Sequence, residues 1–303
     1  MLETLTPLIP LFFIIIVIAI GGFLIFKLIK KAYNLFINVL IIFFILFVVF
    51  GTYTILIEPN NIVVKNIQIN DTGTNMKIVF LSDFQRADND SRFVERVVEL
   101  VNKENADLIL LGGDYVMADE YELPSIEPLK KLKAKYGIYG VMGNHDYNMV
   151  VPQSKCPGQE NLILANNVKK FLEENGTITV LSNENRKFGS VTLIALNDLF
   201  GCQRNETKAL LGSQTGYRIL LSHNQDELEI SNKTADIYLF GHTHCGQIRI
   251  PGIGSLPKVF GFAGEYDAGY YMVNGSHVYT TCGFCPGPRL FAPPEITVIE
   301  LDY

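Results

Sequence analysis

The chain has 303 residues, 48% of them hydrophobic and 18% charged, where an ordinary soluble domain carries about a quarter charged residues. Between Met1 and Glu58 the only charged residues are Glu3, Lys27, Lys30, Lys31 and Glu58, so residues 59–303 hold 22 Lys and Arg against 29 Asp and Glu, a net of −7. This balance excludes disorder and collagen-like repeats, and it argues against nucleic-acid binding, which needs clustered Lys and Arg to neutralise phosphates.

Leu8–Phe26 is a run of 19 residues without a charge, and Leu35–Ile57 is another of 23. Each is long enough to cross a bilayer core, which takes about 20 helical residues. A signal peptide wants a positive start, yet only Glu3 precedes the first run. The second run is too long and too uniformly apolar for an ordinary core helix. Residues 1–58 therefore read as a membrane anchor with two transmembrane helices, with the lipid bilayer as partner. The short connector with Lys27, Lys30 and Lys31 reads as cytoplasmic, which puts the rest of the chain on the periplasmic or extracellular side. The cysteines lean the same way. Cys156 and Cys202 lie in polar, loop-like stretches where a disulfide could join two loops, and an odd total of five leaves one unpaired. Cys282-x-x-Cys285 lacks the second pair that a structural zinc would want.

From Asn61 onward, short apolar runs alternate with helical patterns. Lys77–Leu81 reads as a strand ending in Ser82-Asp83. Asp90 or Ser91 can cap a helix with the apolar face Phe93, Val94, Val97, Val98 and Val101. Leu108–Leu111 is a second buried strand, ending in Gly112-Gly113-Asp114. Tyr139–Met142 is a third, ending in Gly143-Asn144-His145-Asp146. A helix over Asn167–Glu174 follows, then strands near Ile178–Leu181 and Val191–Leu196. Arg218–Leu221 runs into Ser222-His223, Ile237–Phe240 into Gly241-His242-Thr243-His244, and Glu295–Leu301 closes the domain as a strand.

Five times a short apolar strand ends abruptly in Asp, Asn or His. Ligands of α/β sheets gather at the carboxyl ends of strands, where loops converge on a rigid base. Each motif alone is weak evidence, since a polar turn or a satisfied core histidine would look the same. Together they hold four of the five histidines, leaving only His277 outside. The donors are Asp83, Gln85, Asp114, Asn144, His223, His242 and His244, with His145 to spare. Mixed oxygen and imidazole donors suit Mn, Fe or Zn, and seven ligands exceed the need of one ion. Two ions sharing a carboxylate are the arrangement that hydrolyses phosphoesters.

In this order and spacing, the set closely resembles the calcineurin-like metallophosphoesterases across about residues 60–303. The stretches Ile219–Asn224 and His242–Pro251, with Pro288-Arg289 and Pro293–Ile296, are similar to the membrane-associated bacterial branch of that family. That branch includes exported or cell-wall-associated phosphodiesterases and a UDP-2,3-diacylglucosamine hydrolase of lipid A synthesis. The resemblance implies an α/β fold, a four-layer αββα sandwich, over residues 59–303. It implies that Asp83, Gln85 and His244 hold a first metal and that Asn144, His223 and His242 hold a second, with Asp114 bridging. A bridging hydroxide would attack phosphorus in line, while His145 protonates the leaving alkoxide and Asp146 orients it. Two departures bear on the chemistry. Gln85 stands where the family usually has His, and its harder carbonyl oxygen favours Mn²⁺ or Mg²⁺ over Zn²⁺, so manganese is expected, with Fe, Zn and Mg as alternatives. Cys245 stands where the branch tends to have Gly, and is expected to be a small buried residue.

Arg249 and Arg289 are candidate contacts for substrate phosphate, because a guanidinium fork suits its oxygens. The apolar stretch Lys258–Gly264 is either core or a lipid-touching loop. The expected function is hydrolysis of a phosphodiester, phosphomonoester or pyrophosphate bond in a phosphate-containing, lipid-linked or envelope substrate. The alternative is a catalytically weakened metal-binding sensor or scaffold of the same fold, with Gln85 as its mark. A transport role is disfavoured, since neither apolar run carries an intramembrane charge.

Overall fold

The computed structural model describes residues 8–29, 35–85, 90–149, 159–201, 204–213, 215–230, 234–261 and 264–303. The chain divides into two compact units, Met1–Ile57 and Glu58–Tyr303. In the first unit, helices span Leu8–Ile29 and Leu35–Thr52, the second running on through a π-helical turn at Tyr53–Ile57. Among the described residues one helix, Ile37–Asn60, is long and apolar enough to cross a membrane, while the other apolar stretch, Ile14–Lys27, is shorter. One of the two expected spans thus has a qualifying helix, and the other, Leu8–Phe26, lies within the helix Leu8–Ile29. Lys30 and Lys31 of the connector lie outside the described residues, as do Cys156 and Cys202.

The second unit is built on two six-stranded mixed sheets. The first runs in the order β1 (Val63–Ile69), β14 (Glu295–Leu301), β2 (Met76–Leu81), β3 (Leu108–Leu111), β4 (Ile138–Gly140) and β5 (Ile178–Val180). Only the β14–β2 pairing in it is antiparallel. The second runs β12 (Gly269–Val273), β13 (Ser276–Thr280), β9 (Ile237–Phe240), β8 (Tyr217–Leu221), β7 (Val191–Ala195) and β6 (Glu184–Phe188). It is parallel in the middle and antiparallel at both edges. A small hairpin joins β10 (Arg249–Ile250) to β11 (Gly254–Ser255).

Side-chain alternation along each strand sorts the core into layers. From β2, Ile78 and Phe80 join Leu193, Ile219 and Leu239 of the second sheet in one cluster between the sheets. Val79 and Leu81 of the same strand face the opposite way, onto helices Arg92–Lys103 and Gln159–Glu173. On the far side of the second sheet, Ile194, Leu220 and Phe240 pack with Ala209 and Leu228 from four-residue helical turns. Helix Arg92–Lys103 buries Phe93, Val94, Val97, Val98 and Val101, as its spacing requires. At roughly 1.5–3 kcal/mol per buried side chain, this one face contributes on the order of 10 kcal/mol before entropy is counted. Asp90 caps its start by accepting from the Arg92 N–H at 3.0 Å, whereas Ser91 makes no side-chain cap bond.

The eight strands expected from sequence are present to within two residues at each end. Six others, β1, β6 and β10–β13, carried no apolar run strong enough to read. Both β1 and β6 are edge or near-edge strands with exposed polar faces, and the β10–β11 hairpin has two-residue arms. Parallel pairing puts the carboxyl ends of β2, β3 and β4 side by side, and those of β8 and β9 likewise. The five polar strand ends therefore meet.

Candidate functional site

Four donor atoms converge at the ends of β3, β4, β8 and β9. His223 Nε2 lies 3.1 Å from Asp114 Oδ2 and 3.0 Å from Asn144 Oδ1; His242 Nδ1 lies 2.9 Å from Asn144 Oδ1 and 3.3 Å from His223 Nε2. Bonds of about 2.1 Å to one ion put neighbouring donors about 3 Å apart, so this spacing fits a coordination sphere. The outward nitrogen of His223 meets the Gly112 carbonyl at 2.8 Å. A carbonyl has no hydrogen to give, so Nδ1 carries it and Nε2 presents its lone pair, the usual orienting contact of a metal-ligating histidine.

A second set shares Asp114. Asp83, Asp114 and His244 bring one donor atom each within 4.8 Å of one another, as do Asp114, His223 and His242. His244 Nε2 lies 3.4 Å from Asp83 Oδ1. Gln85, fully buried, donates its amide to Asp114 Oδ2, while its Oε1 has no hydrogen-bond partner, nor do Asp83 Oδ2 and His244 Nε2. Buried polar atoms without a partner are costly unless a ligand meets them, and these three lie on the side of Asp114 where the first metal is expected. The donors therefore fit two divalent ions bridged by Asp114.

The backbone is strained for this purpose. Five of the seven candidate ligands sit in left-handed conformation: Asp83 (φ 59°), Gln85 (37°), Asp114 (56°), His242 (69°) and His244 (50°). Such positions cost on the order of 1–3 kcal/mol each and persist where the surroundings over-determine them. Glycine makes the close approach possible. A Cβ on Gly143 would come within 2.2 Å of Asp114 Oδ1, and one on Gly283 within 2.5 Å of Asp83 Oδ2.

Burial pushes both carboxyls up, but the adjacent histidines outweigh it and hold Asp83 and Asp114 below the usual carboxylate range. Burial likewise opposes the charge on His223 and His244. Asp114 outweighs it at His223, and Cys285 and Asp83 do so at His244, so both are pushed up to about 10. His242, buried beside His223, is pushed down to about 3. An ion takes a neutral imidazole, so each ion must displace one proton, from His223 in one set and from His244 in the other. Metal affinity is expected to fall as pH drops below about 10. Calorimetry in buffers of differing ionisation enthalpy should read about one proton released per ion. Binding without proton release would contradict this account.

Gln85 sets a second expectation. Gln85→His replaces a hard carbonyl oxygen by a softer imidazole and is expected to shift preference towards Zn²⁺ relative to Mn²⁺. Competition of the two ions, read by elemental analysis of wild type and variant, checks it, and an unchanged ratio would remove Gln85 from the ligand set.

The other expected residues fall in different places. His145 is half-buried beside the ligands; its Nδ1 meets the Met117 carbonyl at 2.7 Å and therefore carries the hydrogen, leaving Nε2 for proton exchange. Asp146 was expected to orient this ring. Instead its carboxylate accepts from the backbone N–H groups of Gly143 (2.8 Å), Asp114 (3.0 Å), Tyr115 (2.8 Å) and Val116 (3.3 Å). It ties the β3 loop to the β4 loop, and burial together with the Asp114 charge pushes it up to about 8. Arg289 is no substrate contact: it is fully buried, with its guanidinium donating to the carbonyls of Cys282, Gly283, Cys285 and Ala292. Arg249 lines a cavity of about 490 Å³ with Lys258 and Tyr271, tied to Asp267 at 3.1 Å. Cys245 is buried but not a spectator, because it forms a disulfide with Cys282.

Sequence reasoning missed Asp198, although β7 also ends in a polar pair, Asn197-Asp198. Asp198 is fully buried, accepts from the Gly201 N–H at 2.8 Å, and is pushed up to about 6 by burial against the pull of His223. The rule that found the other strand ends would have found it.

Two mixed sheets whose strand ends present two ligand sets around a shared carboxylate define a dinuclear metallohydrolase. The chain belongs to the calcineurin-like phosphoesterase family, whose profile matches residues 76–246. It is similar to the phosphodiesterase YaeI of Escherichia coli (strain K12), 32% identical over 244 residues that cover 76% of this chain and 84% of that protein. The uncharacterized metallophosphoesterase Cj0846 of Campylobacter jejuni is 27% identical over 288 residues, 89% of this chain and 72% of that one. YkuE of Bacillus subtilis (strain 168), another uncharacterized metallophosphoesterase, is 29% identical over 260 residues, 81% and 86%. The chain is accordingly a metal-dependent phosphoesterase, of a family that binds two divalent ions.

Proposed function

We propose that this protein is a membrane-tethered phosphodiesterase that cleaves a phosphate ester in a lipid-linked or envelope substrate, with manganese as its working metal. The observation that carries the chemistry is the sharing of Asp114 between the two ligand sets. When bound, the two ions neutralise the phosphate and supply an activated water for in-line attack. Asp83, Gln85 and His244 would hold one ion and Asn144, His223 and His242 the other, with Asp114 available to both sets. His145 delivers a proton from Nε2 to the leaving oxygen, its ring held by the Met117 carbonyl. Asp146 keeps the loops of Asp114 and His145 in register through four backbone N–H groups. Arg249 beside its cavity is the remaining candidate for a headgroup phosphate.

The lipid-side assignment rests on the helix Ile37–Asn60, which ends where the phosphoesterase unit begins. A second span over Leu8–Phe26 would complete a two-pass anchor, with the phosphoesterase unit outside the cytoplasm; the disulfide Cys245–Cys282 favours that oxidising side. The test is Mn²⁺-dependent hydrolysis of bis-p-nitrophenyl phosphate by the full-length protein in detergent, beside Asn144→Ala/His145→Ala. Turnover abolished by chelator and by the double variant supports the enzyme. Two ions bound without turnover on any phosphate-bearing lipid would favour a sensor, and no bound ion would sink the ligand assignment. On a diester with a poor leaving group, His145→Ala alone is expected to cut kcat by about 10²–10⁴ with both ions retained.

A further inference from the structure

The loop after β3 carries five consecutive backbone N–H groups that all end on buried carboxylates. Those of Asp114, Tyr115 and Val116 end on Asp146, and those of Met117 and Ala118 on Glu122 Oε2, at 3.2 Å for Ala118. One end of this loop thus holds the shared metal ligand, and the other holds the Met117 carbonyl that takes the His145 Nδ1 hydrogen at 2.7 Å.

The Met117 carbonyl and the Ala118 N–H belong to one peptide unit. A peptide is planar, with its C=O and N–H pointing in opposite directions. A carboxylate that fixes the N–H therefore fixes the direction of the C=O, and it also polarises that carbonyl into a stronger acceptor. Glu122 is itself held. It is 6% exposed, it ends a helical turn capped by Asp119 at 2.9 Å, and its own carbonyl accepts from Ser125 Oγ at 2.6 Å.

We propose that Glu122 is a positioning residue for the proton donor: its carboxylate holds the Met117–Ala118 peptide plane and through it the His145 ring. The proposal rests on the reading of His145 as general acid. Proton donation matters most when the leaving group is a poor one, so leaving-group dependence separates this role from a structural one.

The experiment compares kcat of the full-length, Mn²⁺-loaded protein on bis-p-nitrophenyl phosphate and on diphenyl phosphate, whose leaving group is poorer. Glu122→Ala is expected to lose about 10²-fold on diphenyl phosphate and less than about tenfold on bis-p-nitrophenyl phosphate, with two ions still bound. Added to His145→Ala, it is expected to cost nothing further, because both changes remove the same function. Equal losses on both substrates, loss of bound metal, or full additivity with His145→Ala would each overturn the proposal. Glu122→Gln keeps the volume and one acceptor oxygen, and is expected to show the same bias at smaller size. If the alanine variant does not fold, absence of bias in the glutamine variant overturns the proposal. If His145→Ala itself shows no leaving-group bias, the general-acid reading fails and takes the Glu122 proposal with it.

Discussion

Asp114→Asn is expected to release both ions and to lower turnover by roughly 10³-fold or more, the scale on which removing one preorganised electrostatic group acts. The reason is the number of roles one side chain holds. Oδ2 faces His223 Nε2 at 3.1 Å and takes the Gln85 amide, while Oδ1 accepts the His145 N–H at 2.8 Å. An amide cannot replace this. Whichever way it turns, its NH₂ meets either the Gln85 NH₂ or the His145 N–H, donor against donor. It also removes one of the two buried carboxylates that balance the ions. Metal content by elemental analysis and initial rates on a phosphodiester check this together. A variant with two ions and more than a tenth of wild-type activity would show that Asp114 does not bridge.

Removing the Cys245–Cys282 disulfide is expected to have the next largest effect, on stability and on the first ion separately. The bridge closes a loop with a sequence separation of 37. Loop-closure entropy for that length corresponds to about 4 kcal/mol, and so to a fall in Tm of about 10 °C for a domain of this size. The second effect comes from position. Cys245 directly follows His244, while Cys282 precedes Gly283, which packs on the Asp83 carboxylate, and Phe284, whose N–H meets the carbonyls of Ser82 and Asp83 at 3.1 Å each. One segment thus holds both His244 and Asp83, and the disulfide is its covalent link to the His244 loop. Cys245→Ser is expected to lose the Asp83–His244 ion at metal concentrations that keep the ion of Asn144, His223 and His242 bound. Titration with Mn²⁺ should turn from two sites of similar strength into one strong and one weak. Loss of both ions together, or of neither, would show that the bridge acts on the fold alone. Cys245 also has a φ of 54°, a conformation that suits glycine, and the crosslink is what secures a larger residue there.

Much of the centre was legible because strand-ending polar residues are a local signal. Asp83, Asp114, Asn144, His223 and His242 each follow a buried apolar run by one to four residues, so a linear reading finds them without knowing the sheet order. Their partners were not legible. Nothing in the chain marks Met117 as the residue that orients His145, because its carbonyl does the work and every residue has one. The family resemblance implies that Asp146 orients His145, yet its carboxylate turns to the loop after β3. Arg289 read as a phosphate contact because its chemistry suits phosphate; four carbonyls of its own loop claimed the guanidinium instead.

By itself the sequence determined the composition of the centre, the apolar segments, and the strands buried on both faces, since hydrophobic period and abrupt polar ends are properties of contiguous residues. The tertiary structure alone decided which distant groups meet. That covers the sharing of Asp114, the pairing of Cys245 with Cys282, the division of loop N–H groups between Asp146 and Glu122, and the exposed edge strands β1 and β6. Contacts between residues 30 to 160 positions apart, such as His242 N–H to Asp83, depend on sheet order and on how two sheets face each other, and no local pattern encodes either.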